Sequence, residues 1–218
     1  MKYYSQVGQD KFLNEKYFKN KKEGIFIDVG AHDGITGNNS YFFEKELGWK
    51  GICIEPLPVI YKKLKQNRDS ININCAVDVL DGETEFIENK GWTEMLSGIL
   101  KYYDKRHFHR RDKEIKIRGG KTSIINVETL TLKTICDTHN IEKIDYLSID
   151  VEGGELSVIQ SIDFNKVFID IIGFEDNYPD VSPIIIEYLQ NNNYEFIQKH
   201  KFDIFMIHKN SLYNNGNN

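Results

Sequence analysis

Acidic residues and glycines follow directly after apolar runs at several points in this sequence. The stretch IFIDVGAHDG (25–34) contains Asp28, Gly30 and Gly34, and GICIEP (51–56) reaches Glu55 just before its end. A buried strand needs neither feature, whereas a backbone that turns sharply against a ligand uses both. Glu55 stands about 20 residues after Gly34, where a dinucleotide-binding fold places the acid that binds ribose hydroxyls. We predict a cofactor site here; the alternative is a tight strand-to-helix turn without a ligand.

The glycine spacing indicates which cofactor this site would take. Nicotinamide and flavin sites usually carry Gly-x-Gly-x-x-Gly, in which the second glycine admits a pyrophosphate. Here Gly30 and Gly34 are separated by three residues, and His32 stands where the second glycine would be. The Asp28 carboxylate would repel a pyrophosphate but suits a cationic ligand. The turn therefore favours S-adenosylmethionine, which carries a sulfonium, an amino group and a ribose diol.

A second group of acids follows two later apolar runs. SIDVEGGE (148–155) contains Asp150, Glu152 and Glu155, and the next run ends at Glu175. Glu155 is typical of a helix start, where an acid complements the helix dipole. Methyl transfer to a protonated acceptor group requires an aligned acceptor and a residue that takes one proton. Asp150, Glu152 and Glu175 are therefore candidate catalytic residues; alternatively, they bind a divalent cation, magnesium or manganese, that orients and acidifies the acceptor group.

The hydrophobic pattern predicts the elements that position these residues. Apolar, β-branched runs of strand length occupy 25–30, 51–56, 71–77, 144–151 and 167–175. Helical patterns occupy 39–47, 58–68, 131–140, 153–162 and 182–192, with Asn38 or Asn39 as a cap and Pro58 as a first helical residue. Alternation of the two predicts an α/β fold with a parallel sheet covered on both faces. The end of the chain, 194–209, predicts a hairpin with its turn at His200 and Lys201.

Length and composition limit the classes of protein to consider. The 218 residues suit one domain spanning 1–218, and the net charge of −5 with a pI near 5.7 argues against nucleic-acid binding over the whole surface. The chain shows neither a signal-peptide pattern nor an apolar stretch of membrane-spanning length. Cys53, Cys75 and Cys136 form no Cys-x-x-Cys motif and are predicted to be buried thiols in a reducing compartment. These features predict a cytoplasmic location.

One segment departs from the acidic average. Residues 101–121 hold nine Lys or Arg against three Asp or Glu, with aromatic residues among them. One interpretation is a solvated loop or lid. Another is an electropositive wall that binds an anionic acceptor, with Arg110 and Arg111 as cations and Tyr102 as a stacking surface. A third is single-stranded RNA, which also suits basic residues beside aromatic ones, although the shortness of the segment counts against it.

Several stretches together resemble the FkbM family of S-adenosylmethionine-dependent methyltransferases. The matching segments are SQVGQDKFL (5–13), IDVGAHDGITGNNSYFFE (27–44), GWKGICIEPLP (48–58), CAVD (75–78), DYLSIDVEGGE (145–155) and IIGFED (171–176). The resemblance implies a Rossmann-like class I methyltransferase fold with a seven-stranded, mostly parallel sheet and a C-terminal antiparallel hairpin. It also implies O-methylation, often of sugar hydroxyls in glycans, glycolipids or glycosylated metabolites. An RNA-binding methyltransferase and a catalytically silent interaction domain are the alternatives.

The resemblance also assigns roles to particular residues. Glu55 is expected to bind the ribose, Asp78 to lie near the adenine, and Asp150 to lie beside the reacting methyl group. The full set of expected cofactor-binding residues is Asp28, Gly30, Ala31, His32, Gly34, Asn39, Glu55, Pro56, Asp78 and Asp150. Residues 80–126 match the family poorly, and we expect this insertion to recognise the acceptor.

Overall fold

A seven-stranded sheet forms the centre of the structure, a computed structural model in which residues 1–178 and 180–214 are described. The strands are β1 (Ile25–Val29), β2 (Lys50–Ile54), β3 (Ile71–Ile73), β4 (Ala76–Val77), β5 (Gly82–Lys90), β6 (Gly98–Ile99), β7 (Lys121–Leu130), β8 (Lys143–Ile149), β9 (Phe168–Glu175), β10 (Tyr194–His200) and β11 (Asp203–His208). The helices are α1 (Gln9–Leu13), α2 (Tyr41–Leu47), α3 (Pro58–Asn67), α4 (Lys105–Arg118), α5 (Leu132–His139), α6 (Glu155–Gln160) and α7 (Ser182–Asn191).

The order of strands in the central sheet confirms the predicted fold class. The order is β10-β11-β9-β8-β1-β2-β3, and every pairing is parallel except those of β11, which runs antiparallel to β9 and β10. The chain builds one half of the sheet outward from β1 and then returns to build the other half from β8. The strand order therefore reverses between β1 and β8, which is where open α/β sheets bind ligands.

Both faces of this sheet are buried, as continuous apolar strands require. Neighbouring residues of β1 alternate: Phe26 packs on one face with α1, α2 and α3, and Ile27 packs on the other with α5, α6 and α7. Pro58 is the first residue of α3. Asn38 Oδ1 accepts hydrogen bonds from the backbone N–H groups of Ser40 and Tyr41 at the start of α2. None of the described helices is long and apolar enough to cross a membrane.

The prediction of one strand over 71–77 was wrong. Only β3 joins the central sheet, and β4 pairs with β7 in a second sheet. Between them the Asn74 side chain donates to the carbonyl oxygens of Glu55 and Pro56, 2.8 and 2.9 Å away. This contact ties the crossover to the end of β2. The hairpin turn at the end of the chain also lies one residue later than predicted, at Lys201 and Phe202.

The segment that matched the family poorly forms the second sheet and a helix. The sheet has the order β4-β7-β5-β6, with a long antiparallel pairing between β5 and β7. The loop interpretation of 101–121 was wrong, because Lys105–Arg118 forms the 14-residue helix α4. Its first turn is capped by Asp104, whose side chain accepts from the backbone N–H of Arg106. The helix packs on the 3₁₀ turn Gly91–Leu96, so it is held against the body of the protein.

Candidate active site

A cavity opens at the carboxyl ends of the central strands, beside the reversal of strand order. Its volume is about 980 Å³, part of which is open to solvent. Gly30 after β1, Glu55 after β2, Asp150 after β8 and Glu175 at the end of β9 all line it. The topology therefore brings together four residues that are far apart in the sequence, and it does so at the predicted edge of the sheet.

Gly30 allows the chain to turn at the floor of the cavity. Its φ is +86°, and a Cβ built there would lie 1.8 Å from the carbonyl oxygen of Asp150. Its backbone N–H donates to the carbonyl oxygen of Ile54 at 3.0 Å. A side chain at this position would push apart the turns that follow β1 and β8. The glycine is thus required by the close approach of two site-forming segments.

Glu55 is held rigidly at the cavity wall. Its carboxylate oxygens accept backbone hydrogen bonds from His32 at 3.1 Å and from Leu57 at 2.8 Å. Burial raises the pKa of Glu55 to about 7, despite those two hydrogen bonds, and the charges of Glu94 and Asp28 add to the rise. A carboxylate has about four acceptor positions, so two remain for hydroxyl donors from a ligand.

Asp150, Glu152 and Glu175 form one cluster at the opposite wall. Ligand oxygens of the three carboxylates all lie within 4.8 Å of one another. Asp150 hydrogen-bonds Glu175, and its pKa is raised well above its usual value by removal from water and by the Glu175 charge. Burial raises the pKa of Glu175 to about 7, with the Glu155 charge as the next cause. Asp150 and Glu175 therefore form one hydrogen-bonded carboxyl pair.

The turn after β8 and the segment after β9 orient this cluster. Glu152 has a φ of 58°, which is uncommon for a residue other than glycine. The Asn177 side-chain nitrogen donates to Glu152 at 3.2 Å and to Glu175 at 2.5 Å. Glu155 begins α6 as predicted, and its carboxylate accepts from the backbone N–H of Gly153 at 3.0 Å.

Helix α4 contributes Arg110 to the cavity lining and places His107 beside Glu152. Arg110 lines the cavity, and its charge lowers the pKa values of Asp150 and Glu152 against the larger effect of burial. His107 is 2% exposed, and its Nε2 lies 3.3 Å from a carboxylate oxygen of Glu152. Its Nδ1 lies 2.7 Å from the hydroxyl of Tyr178. Burial lowers the pKa of His107 to about 4, with the Arg110 charge as the next cause.

The remaining wall of the cavity is apolar. It comprises residues from the end of β2, from β4 and from the second sheet: Leu57, Ala76, Val77, Phe86, Met95, Leu96 and Ile99. Pro56 also lines the cavity. The cavity therefore has an apolar part suited to an aromatic ring beside an acidic part, in which five carboxyl side chains face a single arginine.

Several predicted cofactor residues lie behind the cavity wall. Asp28 is 2% exposed, and its carboxylate accepts from Asn38 at 2.8 Å and from the Ser40 hydroxyl at 2.6 Å. A Cβ on Gly34 would meet side-chain atoms of Arg68 at 2.6 Å and of Leu64 at 2.7 Å, so this glycine allows the end of α3 to pack closely. Ala31 is 1% exposed and donates its backbone N–H to the carbonyl of Ile54. These three residues shape the turn, and the structure does not bring their side chains to the cavity.

Asn39 and Asp78 are also set apart from the cavity lining. The Asn39 nitrogen donates to Ser148 Oγ at 3.3 Å, and its Oδ1 is buried without a hydrogen-bond partner among the described residues. Asp78 accepts from the Tyr102 hydroxyl at 2.8 Å and pairs with Lys101 at 2.5 Å. Burial would raise the pKa of Asp78, but hydrogen bonds from Lys101 and Tyr102 lower it.

Of the predicted acceptor-binding residues, one lines the cavity and two do not. Arg110 faces the cavity, whereas Arg111 pairs with Asp112 at 2.6 Å and lies over the ring of Phe108. The Tyr102 hydroxyl is bonded to Asp78 rather than directed at a sugar site. The structure thus assigns Arg110, and not its neighbour, to the cavity.

Sequence reasoning missed several residues that line or adjoin the cavity. Gln6 lines it from the N-terminal segment, and Glu94 lines it while lying 3.1 Å from His32 Nε2. No pattern in the sequence separates Glu94 from other surface acids. His107 was one of several histidines without an assigned role, and the helical register of 105–118 would have placed it on the face opposite Lys105 and His109.

Comparison with known proteins identifies the family. The sequence profile described as "Methyltransferase FkbM domain" matches residues 28–196, which is most of the chain. The chain belongs to the FkbM methyltransferase family. The resemblance noted from the sequence motifs is thereby confirmed. No curated protein sequence matches the chain significantly.

Solved structures are similar to this FkbM-domain protein at low sequence identity, and one of them has a TM-score above 0.5. The methyltransferase FkbM from Methylobacillus flagellatus KT has a TM-score of 0.52 at 12% identity, over 87% of this chain and 44% of that one. This chain thus spans less than half of that structure. A TehB-like SAM-dependent methyltransferase from Corynebacterium glutamicum has a TM-score of 0.46 at 10% identity, covering 94% and 89%. The precorrin-6y C5,15-methyltransferase of Geobacter metallireducens has a TM-score of 0.43 at 10% identity, over 91% of this chain and 84% of that one.

Proposed function

We propose that this protein is an S-adenosylmethionine-dependent O-methyltransferase that methylates a sugar hydroxyl of a glycan, glycolipid or glycosylated metabolite. The observation that carries the proposal is the convergence of Gly30, Glu55, Asp150 and Glu175 on one cavity at the strand ends. Family membership supports methyl transfer, and the acids support a cationic methyl donor.

The chemistry of the cavity fits this donor better than a dinucleotide. Five carboxyl groups and one arginine line it, an arrangement that favours a cation and repels a pyrophosphate. Glu55 offers its two remaining acceptor positions to the ribose hydroxyls. Leu57, Phe86 and Ile99 provide the apolar surface for the adenine ring.

The carboxylate cluster is suited to the proton of the acceptor hydroxyl. When bound, the methyl donor supplies an electrophilic methyl group on a sulfonium. As the hydroxyl oxygen forms its new bond to carbon, its proton must pass to a base near the reacting atoms. Glu175, whose pKa is raised to about 7 by burial, matches neutral pH better than an ordinary carboxylate does. The other route is a divalent cation on the same three carboxylates, which would acidify the hydroxyl directly.

The acceptor would enter past the second sheet and α4. This part of the cavity wall includes Phe86, Ser97 and Arg110, all from the segment that differs most from the family pattern. Aromatic and hydroxyl side chains suit a sugar, and Arg110 suits an acidic substituent on it. We propose that residues 80–126 determine which glycan is accepted. The three buried free thiols also suit a reducing compartment, so we place the protein in the cytoplasm.

Product analysis tests this function. The purified protein would be incubated with methyl-labelled S-adenosylmethionine and a panel of neutral and uronic-acid glycosides, and the products would be examined by mass spectrometry. We expect one labelled methyl ether per product and a large loss of turnover in Glu175→Gln. Label transferred instead to RNA, or to no member of a broad glycan panel by protein that binds the donor, would contradict the proposed acceptor class.

A further inference from the structure

His107 lies beside the carboxylate cluster and directs one ring nitrogen at it. Its ring is 2% exposed, and its Nε2 is buried without a hydrogen-bond partner among the described residues. That nitrogen points toward the cluster, 3.3 Å from an oxygen of Glu152. When the ring proton is on Nδ1, the Nε2 lone pair faces the carboxylate, which is unfavourable unless a proton or a metal cation lies between them.

The other ring nitrogen is already engaged. Nδ1 lies 2.7 Å from the Tyr178 hydroxyl, which accepts its proton in the tautomer that leaves Nε2 with a free lone pair. Histidine ligands of metals usually donate their second ring N–H in this way, because the contact fixes the tautomer and the ring orientation. Asn177 orients the carboxylates similarly through its bonds to Glu152 and Glu175.

We infer that His107 and the three carboxylates of the cluster form one site for a divalent first-row transition cation. The inference rests on the proposed function only for the role of that cation in methyl transfer. The alternative described above places a cation on three carboxylates only. The inferred site adds a nitrogen ligand from helix α4, which lies outside the central sheet.

The distances show how far the side chains would move to form such a site. Bonds of about 2.1 Å that meet at 90–110° place neighbouring ligand atoms about 3.0–3.4 Å apart. The separation of 3.3 Å between His107 Nε2 and Glu152 lies in this range. Oxygens of the three carboxylates lie within 4.8 Å of one another, so those that become neighbours on the metal would approach by at most about 1.8 Å. His107 Nε2 lies outside that group and would move with Glu152 toward Asp150 and Glu175.

The ligand set also indicates the kind of cation. Three carboxylates alone suit Mg²⁺ or Mn²⁺, whereas an added imidazole favours Mn²⁺, Fe²⁺, Co²⁺ or Zn²⁺ over Mg²⁺. Arg110 is the one arginine among the described residues that line the cavity. The three carboxylates of the cluster outnumber it, so a divalent ion would balance their charge. The cation would lie where the acceptor hydroxyl must be held.

Binding of Mn²⁺ alone to chelator-treated protein tests the site. Calorimetry should show one Mn²⁺ per chain, bound roughly tenfold or more tightly than Mg²⁺. Pulsed electron paramagnetic resonance should show coupling between Mn²⁺ and an imidazole nitrogen. His107→Gln should abolish this coupling and weaken Mn²⁺ binding by roughly 10–100-fold, whereas His109→Gln, an exposed histidine on the same helix, should change neither.

Two results would overturn the inference. One is folded wild-type protein that fails to bind Mn²⁺, and the other is bound Mn²⁺ without coupling to an imidazole nitrogen. The spectrum of the wild type decides the matter even if His107→Gln fails to fold. Because no methyl donor or acceptor is present, a negative result leaves the proposed function standing, and donor titration without metal tests that function separately.

Discussion

The Glu55 side chain is held in position for a ligand by main-chain N–H groups of other residues. Two main-chain N–H groups fix its carboxylate, yet burial at 5% exposure still holds its pKa near 7. The two hydrogen bonds therefore do not fully replace the water that the Glu55 carboxylate loses on burial, and a ligand can still donate to it. Hydroxyl groups of a ribose would supply the missing hydrogen bonds, which is why the interaction with this ligand should be strong.

Glu55→Gln tests this role. The amide keeps the shape and one acceptor oxygen but loses the charge, so the affinity for S-adenosylhomocysteine should fall by roughly 10–100-fold, or about 1.5–3 kcal/mol. Calorimetry measures the change directly. Glu142→Gln, an exposed acid just before β8, is the matched control and should leave affinity unchanged. Equal affinity in wild type and Glu55→Gln would remove Glu55 from the site.

At the scale of elements, the close contact between the turns after β1 and β8 sets the geometry of the site. Gly30→Ala should therefore be far more destabilising than an alanine at another glycine of positive φ. Gly48 is that control, because its φ is +71° and nothing lies within 4 Å of a built Cβ. We expect Gly48→Ala to lower the free energy of unfolding by about 1 kcal/mol. Gly30→Ala should cost several times more by denaturant unfolding; similar costs would contradict the steric account.

Helix α4 carries a prediction of its own about the acceptor. Arg110→Gln should raise the acceptor KM roughly three- to tenfold for a uronic-acid glycoside and leave donor affinity unchanged. It should also shift the acidic limb of the pH–rate profile toward higher pH, because Arg110 lowers the pKa values of Asp150 and Glu152. Lys113→Gln, exposed on the same helix, should change neither. Steady-state kinetics that are the same in both variants would exclude Arg110 from acceptor binding.

The elements differ in how well the sequence predicted them, and the reason is burial. The central strands are apolar on both faces and were found without the structure. The second sheet was missed because most residues of β5 and β7 are polar and many are exposed, so neither strand shows a continuous apolar run. Helix α4 was missed because its few apolar residues stand among nine cations in 101–121. The role of His107 depends on its contacts with Glu152 and Tyr178, which are distant in the sequence, and no local sequence pattern predicts such contacts.

At the scale of the whole molecule, the site concentrates carboxyl groups whose pKa values are raised by burial. The pKa values of Glu55, Glu155, Glu175 and Asp203 are raised to about 7, and those of Asp150 and Glu152 are raised well above their usual values. In the unfolded chain these groups lose their protons near pH 4. The folded protein therefore binds more protons than the unfolded chain around neutral pH, so its stability falls as the pH rises.

This linkage predicts that the free energy of unfolding decreases between about pH 4.5 and 7, from the usual carboxyl pKa to the raised one. His107, whose lowered pKa acts in the opposite direction between about pH 4 and 6.5, offsets the effect of only one of these carboxyls. Each carboxyl that is protonated only in the folded state contributes up to about 1.4 kcal/mol per pH unit. Urea unfolding with a chelator present measures the slope, and Glu155→Gln should reduce it. A stability that rises across this range would contradict the assigned pKa shifts.

Calorimetric titration of the purified protein with S-adenosylmethionine, S-adenosylhomocysteine and NAD tests the central claim most directly. The claim is that an acid-lined cavity at the strand ends binds a cationic methyl donor for transfer to a hydroxyl. We predict binding of both sulfur nucleotides at one per chain, weakened in Glu55→Gln, and no detectable binding of NAD. Binding of NAD with no heat from either sulfur nucleotide would contradict the account.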